Sequence, residues 1–242
     1  GREAAPMSVS VIVLAAGAGT RMRSERPKPL HQICGRPMVL HVIHALELLA
    51  PERTAVVVGH GAEQVTKKVQ ETAPTWANVT FVEQSEQRGT GDATAIGMTA
   101  LAGDDYDDDA IVVVVPGDTP LLRADTLDEL VAAHVANANA ATLLTSVLDD
   151  PAGYGRVVRA QDGRVLRIVE QRDATPDELE IKEWNTGVLA FRRDLLGPAL
   201  RNLTADNAQG ELYLTDVIGG LAAMGHRVGA VESVRDITER KL

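Results

Sequence analysis

The feature that most constrains this chain is the repeated pairing of a short β-branched run with a longer stretch of helical spacing. Strand candidates are Val9 to Leu14, Ala55 to Val58, Val79 to Val82 and Ala110 to Val115. Between and after them, Met38 to Ala50, Ala62 to Ala73, Asp92 to Leu101 and Thr126 to Ala136 carry apolar residues at helical spacing. Strands separated by helices of this length are βαβ units, and they predict a doubly wound, mostly parallel half. After about residue 140 the pattern changes to Ala141 to Leu148, Arg156 to Arg159, Val165 to Glu170 and Gly187 to Phe191. Glycines and Asp-Pro or Asp-Gly pairs interrupt these runs, and no crossover helix separates each pair. They predict antiparallel or mixed pairing on one edge of the same sheet. Asp194 to Leu203 and Tyr213 to Ala223 read as late helices and Val228 to Val231 as a final strand. The expected fold is therefore α/β, a Rossmann-like, mixed and mostly parallel sheet with helices on both faces. With no repeat, low-complexity stretch or long linker, the expectation is one domain over residues 7–242, with halves at about 7–125 and 126–242.

Charge narrows the partners. Twenty-four Lys and Arg against 34 Asp and Glu leave a net charge of −10, which opposes binding to nucleic-acid phosphates or anionic membranes. The dense acidic run Asp104, Asp105, Asp107, Asp108 and Asp109 reads as a solvated loop, since packed carboxylates repel unless an ion neutralises them. Cys34 is the only cysteine, which excludes an internal disulfide or a Cys-built metal site and fits a reducing compartment. The apolar run Val9 to Ala16 is too short for a membrane span and leads into a glycine loop instead of a cleavage site. A cytoplasmic protein is expected, with residues 1–6 an addition before a natural start at Met7.

Three elements carry chemistry. The first strand runs into Leu14-Ala15-Ala16-Gly17-Ala18-Gly19-Thr20-Arg21-Met22, followed by Pro27-Lys28-Pro29-Leu30. A glycine turn after a strand exposes backbone N–H groups that can cradle phosphates, and Arg21 and Lys28 add positive charge; a plain tight turn is the alternative. It is neither a Walker loop nor a full dinucleotide fingerprint. The second is Gln84-Ser85-Glu86-Gln87-Arg88-Gly89-Thr90-Gly91-Asp92, where amides beside bare backbone can read a pyrimidine edge, or simply turn the chain into a helix. The third is Pro116-Gly117-Asp118-Thr119 after a hydrophobic strand. An aspartate at the carboxyl end of such a strand lies where ligands bind in open α/β sheets, and it is a hard oxygen ligand suited to Mg²⁺; a turn cap is the alternative.

Together these elements resemble the sugar-phosphate nucleotidyltransferases. Further motifs extend the match: Asp149 to Val158, Ile168 to Gln171 with Asp173 to Thr175, Glu183 to Val188, and Asn207 to Asp216. In that order, over nearly the whole chain from Val9, they are similar to the uridylyltransferase domain of the bacterial N-acetylglucosamine-1-phosphate uridylyltransferases. The resemblance implies that Leu14, Ala15, Ala16, Gly17, Gln84, Gln87, Gly89 and Thr90 hold uracil and ribose. It implies that Gly19, Arg21 and Lys28 face the triphosphate, with Arg21 and Lys28 the catalytic cations, and that Asp118 binds Mg²⁺. Gly155, Glu170, Asn185, Tyr213 and Thr215 would surround the amino sugar and its phosphate.

Two departures stand beside the match. The Gly-Val-Asn segment expected to complete the metal site is absent after Val231, which leaves two equal alternatives: Asp236 as a weak candidate second ligand, or a missing stretch near the terminus. No left-handed β-helix acetyltransferase domain like that of the two-function relatives is expected within these residues, as for a single-activity protein or a truncated one. The expected reaction transfers UMP from UTP to N-acetyl-α-D-glucosamine 1-phosphate, releasing pyrophosphate, with Mg²⁺ as cofactor. The partners are those two substrates, and a homo-oligomer stays open. The alternatives are another sugar 1-phosphate or base, or a non-catalytic sugar-nucleotide-binding homologue.

Overall fold

In the computed structural model, residues 7–17, 30–59, 62–101, 103 and 105–234 are described. In chain order the strands are β1 (Val9–Ala15), β2 (Gln32–Ile33), β3 (Arg36–Pro37), β4 (Arg53–Val58), β5 (Val79–Glu83) and β6 (Ile111–Pro116), then β7 (Ala141–Val147), β8 (Arg156–Arg159), β9 (Val165–Val169), β10 (Glu183–Arg192) and β11 (Val228–Glu232). The helices are α1 (Met38–His44), α2 (Ala62–Thr72), α3 (Thr90–Met98), α4 (Ala124–Ala136), α5 (Pro176–Leu179), α6 (Arg193–Arg201) and α7 (Asp216–Ala223).

Among the described residues nine strands form one sheet in the order β11-β7-β10-β6-β1-β4-β5, with β8 and β9 attached beside β10. β6, β1, β4 and β5 run parallel, and β11 runs parallel to β7. β10 is antiparallel to both its neighbours, β6 and β7. Each central strand is apolar on both faces because helices cover both. Val11, Val13 and Ala15 of β1 pack with Val39, Ile43, Val65, Leu127 and Leu130 from α1, α2 and α4. Ile12, one residue out of phase, packs with Met98, Leu196, Val217 and Leu221 from α3, α6 and α7. This is the predicted Rossmann-like arrangement. No described helix is long and apolar enough to cross a membrane.

The departures have local causes. The apolar pattern Met38 to Ala50 is split, because α1 ends at His44 and a single 3-10 turn, Glu47–Leu49, follows with Ala50 in the left-handed region. α3 starts at Thr90 because Gly89 (φ 109°) turns the chain there, ahead of the expected start at Asp92. β10 begins at Glu183, four residues before the expected strand, since its register shifts between Asn185 and Leu189 and hides the alternation. α5 is missing from the sequence reading, yet Thr175 and Glu178 cap it reciprocally. The hairpin β2-β3 was not anticipated either. His41 is structural, its Nε2 lying 2.8 Å from the Ile33 carbonyl oxygen.

His134, at the end of α4, is buried with Nδ1 2.8 Å from Thr142 Oγ1, and that hydroxyl also accepts from Asn139 Nδ2 at 2.9 Å. Burial, with repulsion from Arg192 second, lowers its pKa from 6.5 to about 4. Between these values the unfolded chain binds a proton that the folded chain refuses, so stability falls as pH drops from about 6.5 toward 4. The expected loss is roughly 3 kcal/mol. Denaturant titrations of wild type and His134→Gln at pH 7 and pH 4.5 check this: the variant should lose clearly less stability on acidification, and equal losses would remove the assignment.

Candidate active site

The parallel strands direct their carboxyl ends to one edge, and antiparallel β10 brings its amino end to the same edge. β1 ends in buried Ala15 and Ala16, and Gly17 borders open space. The Gly117 N–H donates to Leu14 O at 2.8 Å, which sets the turn bearing half-buried Asp118 against the end of β1. Gln87 Nε2 donates to Ala16 O at 2.7 Å, tying the loop after β5 to the same place. Space there is tight: a Cβ on Gly59 would lie 3.0 Å from Gln87 Nε2 and 3.1 Å from Ala16 O. Gln84 is 3% exposed, and its Nε2 donates to Asp92 Oδ2 at 2.8 Å and to Gly89 O at 3.3 Å, so its amide braces the turn into α3. Leu14, Ala15, Ala16, Gly17, Gln87, Gly89 and Asp118 are thus gathered around one edge, with Gln84 behind them. Gly19, Arg21 and Lys28, and also Asp104 and Asp236, lie outside the described residues.

The second cluster forms on the face covered by β8, β9 and α7. Gly155 O accepts the Asn185 N–H at 2.9 Å. A Cβ on Gly155 would meet both Glu170 carboxylate oxygens at 3.4 Å and Ile168 Cγ2 at 3.0 Å, so glycine keeps that approach open. Thr215 Oγ1 donates to Glu170 Oε1 at 2.9 Å. Burial pushes the Glu170 carboxyl above its usual range; Asp216 and Asp173 add to the rise and the Thr215 hydrogen bond opposes it. Asn185 Oδ1 accepts the Gly187 N–H at 3.1 Å, and Gly187 (φ 89°) packs on Pro116, two residues from Asp118. The Tyr213 hydroxyl donates to Asp173 Oδ2 at 3.1 Å and accepts from Gln209 Nε2 at 3.0 Å. By hydrogen bonds Tyr213 reaches the backbone of Glu170 through Asp173, whose N–H donates to Glu170 O at 3.0 Å.

One seam joins the two clusters. The Leu212 N–H donates to Arg88 O and the Gly91 N–H to Leu212 O, both at 2.8 Å, while Thr90 Oγ1 accepts the Leu214 N–H at 3.0 Å. A Cβ on Gly89 would stand 2.5 Å from Leu212 O, and one on Gly91 2.9 Å from it. Both glycines of the Gly-Thr-Gly turn are thereby required by close backbone approach. Sequence reasoning missed Leu212 as a partner of this turn, because nothing local to residues 88–91 reports a partner more than 120 positions away. Asp107, Asp108 and Asp109 bring ligand atoms within 4.8 Å of one another, but they are exposed and precede β6, at the sheet edge opposite Asp118.

A family model described as the MobA-like NTP transferase domain matches residues 11–214, the span that builds this edge. The chain belongs to that family. Within it, the chain is 49% identical over 221 residues to the bifunctional protein GlmU of Thermobifida fusca (strain YX), covering 91% of this chain and 45% of that protein. It is 51% identical over 226 residues to the bifunctional protein GlmU of Mycobacterium tuberculosis (strain CDC 1551 / Oshkosh), covering 93% and 45%. The chain spans about half the length of the curated relatives it matches. A solved UDP-glucose pyrophosphorylase complexed with UDP-glucose superposes with a TM-score of 0.74 at 15% identity, over 92% of this chain and 90% of that one, a likeness of fold. These similarities bear out the resemblance drawn from the order of the motifs.

Proposed function

We propose that this chain transfers UMP from UTP to N-acetyl-α-D-glucosamine 1-phosphate, giving UDP-N-acetylglucosamine and pyrophosphate. The observation that supports the reading is the seam from Arg88–Gly91 to Leu212–Leu214, which ties the Gly-Thr-Gly turn at the sheet edge to the segment carrying Thr215, the hydrogen-bond partner of Glu170. Relatives about 50% identical support the same assignment. Residues 7–242 act as one nucleotidyltransferase domain, with a nucleotide-binding half and a sugar-binding half dividing at about residue 125, and the reaction takes place in the cytoplasm.

In this proposal Leu14, Ala15, Ala16, Gly17, Gln87, Gly89 and Thr90 hold uracil and ribose, with Gln84 fixing the turn. Gly19, Arg21 and Lys28 face the triphosphate. Gly155, Glu170, Asn185 and Thr215 hold the amino sugar, with Tyr213 positioning Glu170 through Asp173. The sugar phosphate is already anionic at neutral pH, so its oxygen attacks the α-phosphorus without a general base as the bond to pyrophosphate breaks. What remains is aligning two anions and offsetting the charge that develops.

Asp118 offers a hard carboxylate oxygen at the carboxyl edge, against the end of β1, and that donor chemistry fits Mg²⁺. Bound there, Mg²⁺ would neutralise phosphate charge.

Pyrophosphate release tests the function. UTP with N-acetylglucosamine 1-phosphate should exceed UTP with glucose 1-phosphate by about 30- to 1000-fold in kcat/KM, because the smaller sugar leaves pocket groups unpaired. UTP should likewise be preferred over CTP. Equal or better use of glucose 1-phosphate would remove the amino-sugar assignment, and release with neither sugar would remove the function.

A further inference from the structure

Arg156, the first residue of β8, is 3% exposed. Among the described residues its guanidinium donates to neutral acceptors: Ile181 O at 3.1 Å, Tyr154 O at 2.5 Å, Gln171 Oε1 at 2.9 Å and Leu179 O at 3.4 Å. Arginine stays charged in a protein, so a buried guanidinium is tolerated only where its N–H groups are met. Here they are met by three separate segments. One is the turn 153–155, which carries Gly155. Another is the turn after β9, where Gln171 follows Glu170, and Gln171 Oε1 also accepts the Gly153 N–H at 2.8 Å. The third is the 179–181 stretch that leads into β10 and Asn185.

Two further contacts close the set. Trp184 pairs with Arg156 across β10 and β8, and the Tyr154 ring lies on the Trp184 ring at 4.3 Å. The Asn185 N–H donates to Gly155 O.

We infer that Arg156 is a positioning residue for the sugar pocket: its planar fork sets the spacing of Gly155, Glu170 and Asn185, none of which could hold that spacing alone. This inference rests on the proposed reading of those three residues as sugar contacts. Lysine carries the charge but presents its donors from one nitrogen, so it cannot span three segments as the guanidinium does.

Arg156→Lys and Gln171→Ala are the test variants, the second removing the acceptor shared by Arg156 and Gly153 while leaving the buried charge in place. In either variant the KM for N-acetylglucosamine 1-phosphate should rise about tenfold or more, while the KM for UTP stays within about twofold. A general loss of folded protein would lower kcat and leave both KM values alone. Amide hydrogen exchange provides a readout that needs no substrate: exchange at Gly153 and Asn185 should quicken about tenfold in Arg156→Lys, with β1 and β6 unchanged. If Arg156→Lys does not fold, Gln171→Ala decides by the same two measurements, with exchange at Asn185 the deciding one because Gly153 loses its own acceptor in that variant. Unchanged exchange at both amides, or equal rises in both KM values, overturns the inference. If the wild type uses no sugar 1-phosphate the proposed function falls, and the exchange comparison alone still decides whether Arg156 sets the three segments.

Discussion

Asp118→Asn is expected to lower turnover by about 10²- to 10⁴-fold while thermal unfolding stays close to wild type. The loss is large because a neutral amide is a far poorer ligand for a hard divalent cation than a carboxylate, and the developing phosphate charge then goes unmatched. The fold should persist because Asp118 sits half-buried on a turn, and that turn is held by the Gly117 N–H on Leu14 O, which the substitution leaves alone. Asparagine also keeps the shape of the side chain. Steady-state pyrophosphate release across a Mg²⁺ titration, with a melting curve beside it, is the measurement. Turnover near the wild-type value at saturating Mg²⁺ would show that Asp118 does not anchor the metal.

Gly89→Ala should damage both stability and activity. Gly89 has φ 109°, a conformation that L residues avoid, and its added Cβ would meet the Leu212 carbonyl oxygen at 2.5 Å and the Leu212 nitrogen at 2.9 Å. Neither atom is the far end of a flexible side chain, so the backbone of one segment must move. Positive-φ strain and overpacking each cost about 1–3 kcal/mol. At roughly 2–4 °C per kcal/mol for a chain of this size, Tm should fall by about 4–24 °C. Activity should fall further than stability alone explains, because the shift opens the seam between the two proposed substrate pockets. Gly210→Ala is a useful contrast: it too has positive φ, but nothing lies within 4 Å of its added Cβ, so it should cost strain alone. Equal effects at the two glycines would show that contact with Leu212 is unimportant.

Much of the site could be read before the fold was known because its residues lie in short contiguous motifs. Gln84 to Asp92 and Asn185 to Gly187 are placed by a strand end and a glycine, and both are local signals. Other features could not be read. Thr145 directly faces Asn185 across β7 and β10, and its hydroxyl is buried without a partner among the described residues, yet in sequence it is one threonine in an apolar run. Arg156 opens an expected strand with nothing in the sequence to mark its burial, and it is among the most buried charged residues described.

What the sequence determined by itself was the class of fold, the family, and the sheet edge that carries the proposed site. Hydrophobic periodicity and glycine placement are local, and the strand-helix alternation admits few topologies. Only the tertiary structure decided that β10 enters between β6 and β7, that Leu212 closes on Arg88 and Gly91, and that Arg156 joins three segments. Those arrangements rest on backbone N–H and C=O groups, which nearly every residue carries alike, so only the packed chain selects which donor meets which acceptor.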